Sequence, residues 1–205
     1  MKMTNTWNRF IYRLWAPVYD STVDTLFAPG RKRAFEVLDP HPGELVLLAG
    51  VGTGADLPLL PAGVDAIGID LSPDMLAKAR AKLPACRANV RLLQGDAQAL
   101  LVAEDSCDAA ILNLILSVIP DGRACLQSAL RALKSGGRIV IFDKFQPDGE
   151  EPSIIRRWLN IFSTLLGTDL TRRFGDMLQE SSARVICTEP SILGGVYRII
   201  LLQKG

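Results

Sequence analysis

A single histidine, His41, stands between Pro40 and Pro42, so the chain offers no histidine general base and no His-rich metal cluster. The four cysteines, Cys86, Cys107, Cys125 and Cys187, lie far apart with no C-x-x-C pair. They read as ordinary thiols rather than a metal site or a disulfide framework. No apolar run approaches the roughly 18–20 residues that span a bilayer. At the amino end Arg9 and Arg13 interrupt any signal-like core, and a cytoplasmic protein is the expectation. Charge of one sign is also missing: the formal net charge is +1, which argues against a general nucleic-acid surface. Repeats, low-complexity tracts and interdomain linkers are absent. What remains is 205 residues, 48% hydrophobic and 22% charged, the make-up of one globular domain.

That domain is organised around Leu45-Val46-Leu47-Leu48-Ala49-Gly50-Val51-Gly52-Thr53-Gly54. An uncharged apolar run reads as a parallel strand covered on both faces. It empties into a loop where glycine lets the backbone turn sharply and a ligand lie close. Amides at the carboxyl end of such a strand favour an acidic or strongly polar ligand. A second apolar run, residues 64–69, ends in Asp70, where a doubly wound fold binds ribose hydroxyls. A third, Val90 to Gln94, ends in Gly95-Asp96-Ala97. One sheet edge thus receives a glycine loop and two acids, a crevice for an adenosine-like ligand.

Further along, Pro29 is expected to start a helix through Leu38, and Ser72-Pro73 to cap and open one to about Leu83. Asp108 to Asn113 reads as the fourth strand, Asp121 as the cap of a helix through Leu133 ended by Ser135-Gly136-Gly137, and Arg138 to Asp143 as the fifth strand. A polar helical piece follows at 169–181, then strands at 184–188 and 196–202. The pattern predicts an α/β, doubly wound Rossmann-like sheet of seven strands, mostly parallel with an antiparallel terminal strand, and helices on both faces. Two amphipathic segments flank this core. In residues 7–15, Trp7, Phe10, Ile11, Leu14 and Trp15 oppose Arg9 and Arg13; in 154–166 the aliphatic side opposes Arg156 and Arg157. Either they cover the core, or they lie on a membrane surface.

The motifs Gly50-x-Gly52-x-Gly54, Asp70-Leu71-Ser72-Pro73-x-Met75-Leu76, Gly95-Asp96-Ala97 and Leu133-Lys134-Ser135-Gly136-Gly137-Arg138 run in the order of the class I S-adenosylmethionine-dependent methyltransferases. The chain resembles that family over roughly residues 44 to 145. It is similar to the ubiquinone/menaquinone C-methyltransferase branch and, in size, Tyr19-Asp20 and amphipathic flanks, to small bacterial phosphatidylethanolamine N-methyltransferases. The resemblance implies one domain: a helical cap at 1–43, a cofactor core at 44–145, and cap helices with a terminal strand pair at 146–205. It implies S-adenosyl-L-methionine as cofactor. Gly50, Gly52, Thr53 and Gly54 would line its methionine and ribose. Asp70 would hold the ribose hydroxyls, Leu71 and Met75 would pack on adenine, and Asp96 with Ala97 would read its amino edge. Asn113 would border the methionine or the methyl, and Tyr19 would close over the sulfonium. The family usually carries an acid two residues before the first glycine, and here Leu48 stands there; Asp56 or a backbone carbonyl is left to anchor the methionine amino group. A nicotinamide-dependent enzyme remains the rival, because Gly50-x-Gly52-x-x-Ala55 also fits its fingerprint. An inactive binding module is the other alternative.

A sulfonium methyl is already activated, so transfer needs an aligned nucleophile and exclusion of water more than a metal. Tyr19 and Asn113 are the candidates for stabilising the charge around it. Asp143 and Lys144, at the tip of the fifth strand, are candidate substrate contacts. Arg172 and Arg173 form a candidate phosphate clamp, because the guanidinium fork matches phosphate oxygens. The expected acceptor is lipid-like or apolar, with the amine of phosphatidylethanolamine first and a quinone or other small molecule as the alternative. Peripheral contact with the inner membrane surface would follow from the first; no metal and no nucleic acid are expected.

Overall fold

The computed structural model describes residues 22–145, 172–179 and 181–205. Tyr19 and both amphipathic segments, 7–15 and 154–166, lie outside the described residues.

Strand β1 (Leu45–Ala49) is buried along nearly its whole length, and it pairs in parallel with β2 (Asp65–Asp70) and β4 (Cys107–Asn113). Leu47 sits opposite Ile67 on one side and Ala110 on the other. Strands β3 (Asn89–Gln94), β5 (Leu133–Lys144), β6 (Ala183–Pro190) and β7 (Tyr197–Lys204) complete a seven-stranded sheet in the order β3-β2-β1-β4-β5-β7-β6. β7 inserts between β5 and β6 and runs antiparallel to both. The sheet is the Rossmann-like arrangement that the sequence pattern predicts, with one reversed strand near its end.

Side chains alternate across the pleat, so β1 feeds two cores. Leu47 and Ala49 join the layer built by α3 (Gly122–Ala132) and α4 (Phe174–Leu178). Val46 and Leu48 join the opposite layer, with Phe27, Ala34, Phe35 and Leu38 of α1 (Thr22–Leu38) and Leu76 and Ala79 of α2 (Pro73–Lys82). Helix starts follow their caps: the Ser72 hydroxyl accepts from the Met75 amide, and the Asp121 carboxylate accepts from Ala124 at 2.9 Å.

The helices depart from the sequence expectation at several boundaries. α1 starts at Thr22 and runs through Pro29, which is exposed. A proline there removes one amide donor, and burial of the helix's apolar face on the sheet outweighs that loss. α3 ends at Ala132 and β5 takes over directly at Leu133, which pairs with Cys107. Of the helical piece expected at 169–181, the described part is the short α4. His41 lies in a turn, exposed, before β1, and all four cysteines are unbridged.

α1 rests on the sheet through one close approach. A Cβ at Gly30 would lie 2.2 Å from the ring of the fully buried Phe142. Gly30→Ala would gain helix propensity of about 1 kcal/mol on an open surface. Here overpacking opposes it by about 1–3 kcal/mol, so chemical denaturation should show a net loss of stability. A variant as stable as the wild type would mean that α1 lies farther from β5 than the structure has it.

Candidate functional site

The strand order reverses between β1 and β4, and the crevice at their carboxyl ends is where open α/β sheets take ligands. The loop leaving β1 is pinned to β2, since the amides of Gly50 and Val51 both donate to the carbonyl of Ile69, at 2.8 and 2.9 Å. Its three glycines all have positive φ but do different work. A Cβ at Gly50 would strike Ile115 just beyond β4, and one at Gly54 would strike Ala79 of α2. At Gly52 a Cβ would meet nothing nearer than 4.0 Å. That open space, with the loop bent around it, is a cradle that a side chain would fill.

Asp70, at the tip of β2, faces the same space. Its Oδ2 accepts from the Gly52 amide at 2.8 Å and its Oδ1 from the Ser72 amide at 2.9 Å, with a further amide bond from Leu71. Burial pushes its carboxyl above the usual range, against the three amides that favour the charged form. A carboxylate has about four acceptor positions, so one stays available for a ligand hydroxyl. Leu71 is half-buried beside it and Met75 is buried in the first turn of α2. After β3, Asp96 caps a short turn, accepting from the Gln98 amide at 2.9 Å and from the Gln98 side chain. Gln98 in turn accepts from the Asp121 amide at 2.8 Å, and Ala97 is buried. Thr53 is buried too, its hydroxyl 3.5 Å from the Lys82 ammonium.

At the tip of the fourth strand a cluster forms in which Arg31 alone is unannounced by the sequence. Asp56, just past the glycine loop, is 5% exposed and Asn113 is 6% exposed. Asp56 Oδ1 accepts from Asn113 Nδ2 at 3.1 Å and from Arg31 Nη1 of α1 at 3.0 Å. Arg31 sits in an ordinary-looking helix 25 residues from Asp56, and no local pattern marks it. Leu48, in the place where the family has an acid, is 1% exposed and belongs to the apolar layer under α1 and α2.

The rim residues fall out differently from the sequence reading. Asp143 is fully buried and accepts from the Ser117 amide at 3.0 Å and the Lys144 amide at 2.8 Å. Its carboxylate is spent on these amides and holds the loop after β4. Lys144 is half-buried with its ammonium 5.8 Å from the centre of the Tyr197 ring. Arg172 directs its guanidinium at the carbonyls of Leu116, Ile119 and Pro120. A planar fork engaged by carbonyl oxygens braces that loop. Arg173 is half-buried at the start of α4.

Residues 47–141 match the protein family described as methyltransferase domain. The chain is 28% identical over 195 residues to a phosphatidylethanolamine N-methyltransferase of Cereibacter sphaeroides, covering 94% of this chain and 95% of that protein. It is 31% identical over 157 residues to a demethylmenaquinone methyltransferase of Paenarthrobacter aurescens (strain TC1), covering 74% of this chain but 58% of that protein. In structure it is similar to the putative methyltransferase of a Haloferax volcanii complex with the methyltransferase activator Trm112, with a TM-score of 0.75 at 18% identity, over 95% of this chain and 96% of that one.

Buried Asp143 gives the site a pH signature. Desolvation raises its carboxyl above the ordinary 3.8, against the Ser117 hydrogen bonds, the Lys144 amide and the Lys144 charge. A raised value in the folded state means that its contribution to stability is full below 3.8 and is lost as pH rises through the raised value. The melting temperature of Asp143→Asn relative to wild type should therefore climb as pH rises above 3.8. A flat difference across that rise would show that Asp143 titrates as an ordinary carboxyl.

Proposed function

We propose that the chain is an S-adenosylmethionine-dependent methyltransferase and that it methylates the amine of a phosphatidylethanolamine-like lipid. The observation that carries this reading is the match along almost the whole length of the phosphatidylethanolamine enzyme. The demethylmenaquinone relative, by contrast, is matched over little more than half its length. Among the described residues no helix is long and apolar enough to cross a membrane, so such a lipid would be met at its head group.

S-adenosylmethionine, when bound, supplies a methyl already activated on a sulfonium. The chain's own residues do the rest. Asp70 accepts a ribose hydroxyl with the acceptor position that its three amides leave over. Gly52 lets the ligand approach the loop backbone. Leu71 and Met75 flank the adenine, and Asp96 with Ala97 reads its amino edge, Gln98 fixing the carboxylate. Asn113 would border the methionyl end, and Tyr19, which the resemblance assigns to the sulfonium, would supply a hydroxyl to stabilise the methyl's positive charge. An amine acceptor must lose a proton before attack, and Tyr19 and Asp20 are the nearest sequence candidates to take it. Lys144 borders the acceptor's side of the crevice. Burial of the glycine loop and the β4 tip excludes water from the transfer.

Asp70→Ala should weaken S-adenosylmethionine binding by more than tenfold in calorimetry, the loss of about 2–3 kcal/mol from a charge-assisted hydrogen bond. Unchanged affinity would remove Asp70 from the site, and tighter binding of a nicotinamide dinucleotide would overturn the premise.

The acceptor is tested with radiolabelled cofactor and vesicles. Label should pass to phosphatidylethanolamine and not to demethylmenaquinone in the same vesicles; the opposite partition would establish the quinone reading instead. Wild-type chain should co-sediment with anionic vesicles at low salt. Arg9→Glu/Arg13→Glu and Arg156→Glu/Arg157→Glu should each weaken that, since every cation near such a surface contributes about 1 kcal/mol. Wild type that ignores the vesicles would favour a small soluble acceptor.

A further inference from the structure

β6 is the outermost strand in the order β3-β2-β1-β4-β5-β7-β6, and among the described residues nothing pairs with its outer edge. Val185 is 47% and Ile186 49% exposed on it. An edge of this kind is a template for another strand. Which backbone groups it offers follows from its inner ladder. Two bonds at the ends fix the alternation: the Gly205 amide donates to the Ser182 carbonyl at 3.1 Å, and the Ser191 amide to the Tyr197 carbonyl at 2.8 Å. From each end, alternate residues of β6 turn their backbone groups toward β7. A bulge between Val185 and Cys187 absorbs the odd residue where the two alternations meet. Ala183, Val185, Thr188 and Pro190 are left with their backbone groups facing outward.

This edge is complementary to itself. Run antiparallel about a two-fold axis, a second β6 puts Val185 opposite Thr188 and Ala183 opposite Pro190, so that every outward amide meets a carbonyl. A bulge and a proline elsewhere discourage such pairing, but here both fit. The bulges face one another at the axis. Pro190 lies at the ends of the pairing, where its carbonyl still accepts from Ala183. The same register sets Arg184 opposite Glu189 of the second copy, at the closely spaced, non-hydrogen-bonded positions where cross-strand side chains meet. Arg184 is paired with Gln203 and Glu189 with Ile199, so both side chains stand on the sheet face that α1 covers. Glu189 already holds Arg33 of α1 through two bonds of 2.9 Å, and Arg33 reaches Glu36 at 3.1 Å. Arg184 of the second copy continues that row with the next charge of alternating sign. Slid by one rung, the pairing leaves strand ends unfilled and loses the charge pair to the bulge.

We propose that β6 is a self-association surface, on which two copies of this chain pair edge to edge into one continuous sheet. β5 and β7 stand between this edge and the crevice at the ends of β1 and β4. The two-fold turns the two crevices to opposite ends of the joined sheet, so the pairing covers neither. An interface of one strand per copy sits at the small end of specific contacts, and the dimer is a reversible one.

Sedimentation velocity on the full chain, from micromolar to near-millimolar concentration, reads the equilibrium. Wild type should pass from monomer to dimer as concentration rises. Arg184→Glu and Glu189→Lys should each weaken the dimer by roughly tenfold, because each sets like charges opposite one another twice across the axis. Mixed in equal amounts, the two variants should associate more tightly than either does alone, since one copy of each restores opposite charges at both crossings. That rescue is specific to the antiparallel register, and no loss of folding could produce it. A wild type that stays monomeric throughout overturns the proposal. So does a dimer that Arg184→Glu leaves at full strength, or a mixture no tighter than its components. None of these outcomes depends on the methyltransferase reading, which stands or falls on ligand binding.

Discussion

Everything at the site depends on a central strand that is buried on both faces and must end abruptly. β1 is sealed by helices above and below and by parallel neighbours on each side. A strand so enclosed has no solvent-facing side along which to continue, so the chain must turn within a few residues while keeping its amides paired. Gly50 and Val51 manage this by both donating to one carbonyl of β2. The Gly52 amide is then delivered to Asp70, at the end of that same strand. Loop and acid therefore hold each other in shape before any ligand arrives, and preorganisation of this kind lowers what binding must overcome.

Much of this was legible in the sequence because it is encoded locally. A glycine loop after an apolar run, an acid at the end of the next run and Ser-Pro or Asp before a helical stretch all lie within a few residues of the feature they specify. The seven-stranded, mostly parallel sheet with an antiparallel terminal strand followed from strand and helix alternation and from the short link between the last two strands; the placement of β7 between β5 and β6 did not. What stayed hidden is long-range pairing. Nothing near Asp143 says that it will turn inward to hold the Ser117 amide, 26 residues away. Nothing near Arg172 says that its fork will meet the carbonyls of Leu116, Ile119 and Pro120. As charged residues near a crevice both looked like ligand contacts, and tertiary structure gave them to the backbone of the loop after β4. Arg31 erred the other way, passing for an unremarkable helix residue when its partner is the buried Asp56.

The loop after β4 emerges as the most heavily braced irregular segment of the site. Asp143 grips it from β5 and Arg172 from the start of α4. The Phe142 carbonyl fixes its left-handed leucine. Because this loop borders the glycine cradle through Ile115, its rigidity sets the width of the crevice. Charged residues engaged with this backbone can thus decide how well a ligand fits.

The reversed strand has a consequence for how the molecule assembles. β6 meets the sheet only through β7, and the two pair antiparallel across a short connection. They can zip together as a hairpin from contacts close in sequence, which form early and with little loop-closure entropy. The pairing of β7 with β5, by contrast, brings Arg138 beside Gln203, a closure that must wait for a long stretch of chain to fold back. The sheet is therefore a parallel block of five strands that receives a ready-made hairpin at its β5 edge. That edge, open until the hairpin docks, is the place where a half-folded chain is most exposed to pairing with the wrong partner.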